Sequence, residues 1–173
     1  FTKFKISNPA HYSEGDSGIR EVVTHVEHAR KIIGFDRDLM INPVMSYNVE
    51  FALRLLEKIK PYNLRWFEEP LIPTNIDGLV EIRKKAPWIA IATGEDHHGR
   101  HAFLDLVERK AADILQPDLQ WGGGLTEAIK IHSIGESAGI ATIPHGGANL
   151  PFGQHLQIKY CFCPCTHTFQ IQI

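Results

Sequence analysis

The chain has 173 residues, 43% of them hydrophobic and 22% charged, with a formal net charge of -2. That balance belongs to a soluble globular domain with enough chain for a sizeable core, and it lacks the basic excess that a nucleic-acid or anionic-membrane partner calls for. No apolar run approaches the roughly 20 residues of a membrane-spanning helix, and no basic-then-apolar start reads as a signal peptide. The first residue is Phe1 rather than Met, which reads as a fragment or a processed product. All three cysteines, Cys161, Cys163 and Cys165, fall in one short tail, and a core without disulfides fits a reducing, cytoplasmic setting.

In chain order, short apolar runs alternate with longer amphipathic stretches. Phe4–Ile6 reads as a first strand, and Val22, Val26, Ala29 and Ile33 then repeat at helical spacing up to Gly34, where a helix stop is expected. Leu39–Ile41 reads as a second strand, followed by a helical pattern through Val49, Ala52, Leu53, Leu56 and Ile59. Leu64–Phe67, Trp88–Ala92, Asp113–Leu115 and Ile140–Ile143 are the remaining strands, with helices near Asp77–Lys85, Arg100–Arg109 and Leu125–Ala138. Each strand is short and apolar, as parallel strands buried on both faces are. Such alternation implies βαβ units, in a doubly wound sheet or a barrel.

Polar residues at the strand ends favour the barrel. Asn42, Glu68, Glu95, Asp118 and His145 each fall just after a strand, at intervals of 26, 27, 23 and 27 residues. Each βα unit delivers one polar or ionisable group at the same phase, which in a barrel places all five at the C-terminal mouth. A doubly wound sheet concentrates its site at one switch point instead. The fold class expected is therefore α/β, a partial (β/α) TIM-type barrel. Six strands are visible where a closed barrel has eight, so one strand is missing at each end.

The ordered set Trp66-Phe67-Glu68-Glu69-Pro70, Thr93-Gly94-Glu95, Gln116-Pro117-Asp118 and Pro144-His145-Gly146 resembles the active-site motifs of the third to seventh barrel strands in the enolase superfamily. The opening Phe1–Lys5 with Gly15-Asp16-Ser17-Gly18, and Leu39–Asn42 with Met45-Ser46, resemble its rhamnonate dehydratase branch. The similarity covers residues 1–155, the partial barrel domain, and leaves residues 156–173 as an atypical Cys-containing tail. The resemblance implies a Mg²⁺-dependent acid-sugar dehydratase. The proton next to a sugar acid's carboxylate is barely acidic, and its removal builds charge that a cation stabilises while a Lys or His takes the proton. Hard oxygen ligands suit Mg²⁺. By the same resemblance Glu68 and Glu95 are metal ligands, with Asn42 at the position of a third. Asp118 orients His145, which acts as base and then as acid for the departing hydroxyl, giving a 2-keto-3-deoxy sugar acid. His97, beside Glu95, and Lys5, on the first strand, are candidate substrate contacts. A small-molecule sugar acid is the partner implied, with a homo-oligomeric parent.

Other motifs read as structure. Glu69 beside Glu68 reads as a loop acid, and Lys5 can equally be a barrel residue whose amine snorkels to solvent. His98 and His101 sit one helical turn apart, but no Glu of a His-Glu-x-x-His motif accompanies them. Gly122-Gly123-Gly124 opens a helix without a dinucleotide fingerprint.

Three departures from the family pattern bear on activity. Asn42 stands where an anionic ligand is expected. The capping domain that covers the barrel mouth is absent. After Glu136 no Asp or Glu occurs, and the tail reads Tyr160-Cys161-Phe162-Cys163-Pro164-Cys165-Thr166-His167, whose alternate-residue spacing is poor for a tetrahedral thiolate metal site. They leave a non-catalytic truncated remnant of such an enzyme as the alternative. A racemase or epimerase is a further one, although it needs bases on both faces of its substrate and His145 is the one clear base, Lys5 a weak second.

Overall fold

Leu39, Met40 and Ile41 have no exposed surface, the condition of a parallel strand covered on both faces. The same chemistry recurs along the chain and sets its element order. In the computed structural model, which describes residues 2–146, 150–160 and 169–170, this order is β1 (Lys3–Ser7), α1 (Gly15–Ile33), β2 (Asp38–Asn42), α2 (Val49–Ile59), β3 (Trp66–Glu68), α3 (Ile76–Lys85), β4 (Ala90–Thr93), α4 (Gly99–Glu108), β5 (Ile114–Leu115), α5 (Gly124–Ser137), β6 (Ala141–Thr142), α6 (Pro151–Tyr160) and β7 (Phe169–Gln170). The six strands and five helices expected from the pattern are present, with α6 and β7 in addition. The tail residues Cys161, Cys163, Cys165 and His167 lie outside the described residues, while α6 runs through residue 155 to Tyr160.

The chain divides into two compact units, Phe1–Ile91 with His167–Ile173, and Ala92–Thr166. In the first, β1 pairs in parallel with β2 and with β7, and β2 with β3. The register sets Ser7 opposite Asn42 and Ile41 opposite Phe67. A slip of one residue would turn the apolar set of a strand to the wrong face, so burial pins this register.

The helices of this unit follow from caps and stripes. The Asn48 side chain accepts the Phe51 N–H at 2.8 Å and opens α2, and Asn75 does the same for Gly78 at 3.0 Å at the start of α3. The periodicity predicts a buried stripe on α2 through Val49, Ala52, Leu53, Leu56 and Ile59. The residues buried are Phe51, Ala52, Leu55, Leu56 and Ile59. The aromatic ring of Phe51 packs beside Tyr47, ring centroids 4.6 Å apart, and pulls the stripe round. α1 ends where expected: Gly34 has φ 78, a conformation that favours glycine, and its N–H donates to the Arg30 carbonyl at 3.0 Å.

Arg30 is a buried cation on α1 that fastens this helix to the approaches of β2 and β3. Its guanidinium donates to the carbonyls of Gly34 and Arg37, both at 2.8 Å, of Tyr62 at 2.9 Å and of Asn63 at 3.0 Å. Burial lowers its pKa and Asp38 raises it, burial being the larger effect.

In the second unit β4 pairs in parallel with β5 and β5 with β6, while α5 packs against both α4 and α6. Glu127, in the first turn of α5, is gripped by Arg100 of α4. The Arg100 backbone N–H and Nε both donate to Oε1 at 2.8 Å, and Nη2 donates to Oε2 at 2.9 Å. This fork, first through the side-chain hydrogen bond, holds the Glu127 carboxyl at about 2. No helix among the described residues is long and apolar enough to cross a membrane.

Two predictions follow from these ties. Arg30→Leu leaves four carbonyls without their donor and costs about 3 kcal/mol or more, read as a fall in the urea midpoint, and Arg30→Lys recovers less than half because a lysine lacks the planar fork. For Glu127 the carboxyl titrates lower folded than unfolded, so the pair's stabilisation is complete above pH 4.5 and is lost as the pH falls towards 2. Melting temperatures between pH 6 and pH 2 should fall more steeply for the wild type than for Glu127→Gln.

Candidate functional site

Trp66 and Glu68 are two apart on β3 and so share one face of the strand. Both are buried, and the indole Nε1–H donates to Glu68 Oε2 at 2.8 Å. The other oxygen, Oε1, receives two donors from the neighbouring strands. The Lys5 ammonium of β1 forms an ion pair with it, and the Asn42 amide of β2 donates to it at 3.0 Å. Asn42 and Glu68 are brought side by side by the register, one step beyond the Ile41–Phe67 pair.

The loops that leave these strand ends are strained. Val44, Met45 and Glu69 have φ of 51, 58 and 40, in the left-handed region that β-branched Val in particular avoids. Hydrogen bonds hold them there. The Val44 N–H donates to Asn42 Oδ1 at 2.8 Å, and the Met45 N–H donates to the Glu69 carbonyl at 2.7 Å. Tyr47, next along, donates its hydroxyl to Asn8 Oδ1, and burial pushes its phenol well above the ordinary range.

In the second unit the candidate residues gather around His145. A parallel bridge joins Asp118 to His145, and the His145 N–H donates to the Pro117 carbonyl at 3.1 Å. Asp118 divides its two oxygens. Oδ1 accepts the N–H groups of Gln120 at 2.6 Å and Trp121 at 3.2 Å, while Oδ2 lies 3.0 Å from His145 Nδ1. An ionised carboxylate can only accept, so Asp118 holds a proton on Nδ1 and fixes the orientation of the ring. Glu95 Oε2 lies 3.3 Å from that Nε2. Gly94, with φ 139, sets up the turn before Glu95. A Cβ there would sit 2.6 Å from the Phe103 ring, so no other residue fits without displacement.

Each unit brings three of the candidate residues together. Lys5, Asn42 and Glu68 meet in the first unit; Glu95, Asp118 and His145 meet in the second. His97 is buried, its ring 6.0 Å from that of Phe103 on α4. Glu69 is buried in its loop, its carbonyl holding Met45. Two tryptophans belong with these groups, Trp66 from the Trp66–Pro70 motif, without an assigned role, and Trp121 from outside any motif. Trp66 binds Glu68, and Trp121 donates Nε1–H to the Glu95 carbonyl at 2.6 Å with its ring 6.0 Å from His145. The period-2 spacing of Trp66 and Glu68 was a signal for the first; nothing in the sequence marks the second.

The donors around Glu68 do not fit Mg²⁺. That ion takes oxygen lone pairs at about 2.1 Å in near-octahedral geometry. Here Glu68 Oε1 already holds an ammonium and an amide, and Oε2 an indole. Asn42 presents its NH2 to Glu68, because its oxygen is committed to the Val44 N–H. Reversing the amide would set oxygen against carboxylate and NH2 against a backbone N–H, losing both bonds. The second unit's cluster is of another kind: an imidazole held between two carboxylates, able to take and return a proton.

Comparison with known proteins shows the family. The family model described as enolase C-terminal domain-like matches residues 1–172, so the match runs on through the tail beyond residue 155. An L-rhamnonate dehydratase of Saccharopolyspora erythraea is 37% identical over 137 residues, covering 79% of this chain and 35% of that protein. The crystal structure of rhamnonate dehydratase from Gibberella zeae complexed with Mg superposes with a TM-score of 0.89 at 32% identity, covering 99% of this chain and 41% of that one. A racemase from Streptomyces coelicolor with bound magnesium gives 0.82 at 25% identity, over 100% and 48%. The chain thus spans less than half the length of these relatives. Its strand-helix repeat, its ordered motifs and these matches together make it a partial (β/α) TIM-type barrel that belongs to the enolase C-terminal domain-like family.

Proposed function

We propose that this chain carries the proton-transfer part of an acid-sugar dehydratase of the L-rhamnonate type. The observation that supports this reading most is the Asp118–His145–Glu95 cluster, in which one ring nitrogen is oriented by Asp118 and the other, on the more exposed side, faces Glu95. The family relationship to dehydratases supplies the reaction class.

In the reaction proposed, His145 Nε2 takes the proton from the carbon next to the substrate carboxylate, and the electron pair passes into that carboxylate as an enediolate. The enediolate collapses by expelling the hydroxyl of the next carbon, which leaves as water with the proton returned by the imidazolium. The enol that remains becomes a 2-keto-3-deoxy sugar acid. Asp118 stabilises the imidazolium and fixes its orientation. Glu95, 3.3 Å from Nε2, is close enough to share that proton between steps.

Racemisation is less well supported. It needs a second base, and the amine of Lys5 is held as an ammonium by Glu68. A non-catalytic member of the family is the second reading that an observation favours. Glu68 and Asn42 are committed to partners inside the protein, so the stabilisation of enediolate charge that a metal supplies has no fitted cradle beside Glu68. Turnover by this chain is accordingly expected to be weak.

Loss of the C2–H signal of L-rhamnonate in D2O, followed by proton NMR, tests the reading without requiring full turnover. Slow exchange is expected from the wild type. It should fall at least about 100-fold in His145→Asn and in Asp118→Asn while the circular-dichroism spectrum stays unchanged. Exchange that persists in His145→Asn sinks the assignment of the base, and no exchange with L-rhamnonate or its epimers favours the non-catalytic reading.

A further inference from the structure

Glu68 is a carboxylate with 0% exposure, and such a group is tolerated only when its charge is matched and its lone pairs are used. Both conditions are met by side chains of the first unit. From the Lys5 ion pair and the orientation of the Asn42 amide we infer that Lys5 is the resident counter-cation of Glu68, and that Glu68 is not a divalent-metal ligand in this chain.

Three features carry this. Within this pair the charges balance one to one, an ammonium against a carboxylate. The oxygen not paired with Lys5 accepts the Trp66 indole N–H at 2.8 Å. Asn42 is fitted to the arrangement rather than merely neutral. An Asp at this position could still accept the Val44 N–H with one oxygen, but its other oxygen would then face Glu68 Oε1 at the present 3.0 Å separation. Two carboxylates that close require a cation of higher charge or a proton between them. The amide instead supplies a donor, so the cluster is complete with the lysine alone.

The inference is independent of the proton-transfer reading, since neither His145 nor Asp118 enters it. Calorimetric titration of the full chain with MgCl2 and MnCl2, repeated on Lys5→Met/Glu68→Gln, tests it directly. The double variant removes both charges together and so leaves no buried ion unpaired. The expected result is either no binding heat or heat that the double variant leaves unchanged; wild-type binding that the double variant abolishes overturns the inference. Thermal melts in EDTA add a second measurement. Lys5→Met alone should lower the melting temperature by about 5 to 10 °C, with most of it regained in the double variant. A Lys5→Met protein as stable as the wild type would show that Lys5 is not the counter-cation, and one too unstable to purify leaves the metal titration to decide.

Discussion

A carboxylate without solvent exposure is the most demanding group in the first unit, and the strands around it are arranged to satisfy it. Glu68 takes its donors from three neighbouring strands: Trp66 of its own, Asn42 of β2 and Lys5 of β1. Burial of an unmatched charge costs several kcal/mol even after relaxation, which is a large part of a domain's whole stability. The register that sets Ile41 beside Phe67 is therefore fixed twice, by the apolar faces of the strands and by the polar cluster at their ends. The same cluster bears on what the unit can bind, because three fixed donors already occupy most of the lone pairs of Glu68.

The two units solve a common problem at their strand ends in the same way. A chain leaving a parallel strand must turn sharply, and its first N–H groups lose their sheet partners. Asn42 and Asp118 each spend one side-chain oxygen on this. Asn42 Oδ1 takes the N–H of Val44 two residues on, and Asp118 Oδ1 takes those of Gln120 and Trp121. These are local side-chain turns of the kind Asn and Asp make most readily. The remaining polar atom of each residue then projects from a fixed frame, the Asn42 amide to Glu68 and Asp118 Oδ2 to His145. The positive φ of Val44 and Met45 is the local cost of that rigidity. Preorganisation at the site thus begins with the backbone hydrogen-bond accounting of the loop.

Much of the fold was legible because its signals are local. Leu39 to Ile41 form a run too short and too apolar for anything but a covered strand, and Gly34 ends its helix with the conformation glycine allows. The even spacing of Asn42, Glu68, Glu95, Asp118 and His145 follows from the length of one βα unit, so the strand ends could be placed from sequence. What the spacing could not show was the partner of each group. Lys5 is 63 residues from Glu68, and only the parallel register brings its ammonium to that carboxylate. Trp121 escaped notice for the same reason, since its contacts with Glu95 and His145 depend on a loop closed by the Gly122 N–H on the Asp118 carbonyl. The α2 stripe was misplaced because Tyr47, outside the helix, draws Phe51 inward.

Accessibility separates the two clusters by function. A group that transfers a proton to a ligand must be reachable by it, whereas a group that only closes a charge balance need not be. The His145 side chain is 24% exposed and that of Glu95 13%, while Asp118, at 2%, is buried behind the imidazole it orients. That gradient, from a reachable base to a hidden carboxylate, is the order in which a proton would be received and its charge compensated. In the first unit the order is inverted. Glu68 has no exposed surface, and its Lys5 partner is nearly as deeply set. This contrast fits the proposed proton transfer at His145 and the proposed role of Lys5 as the counter-cation of Glu68.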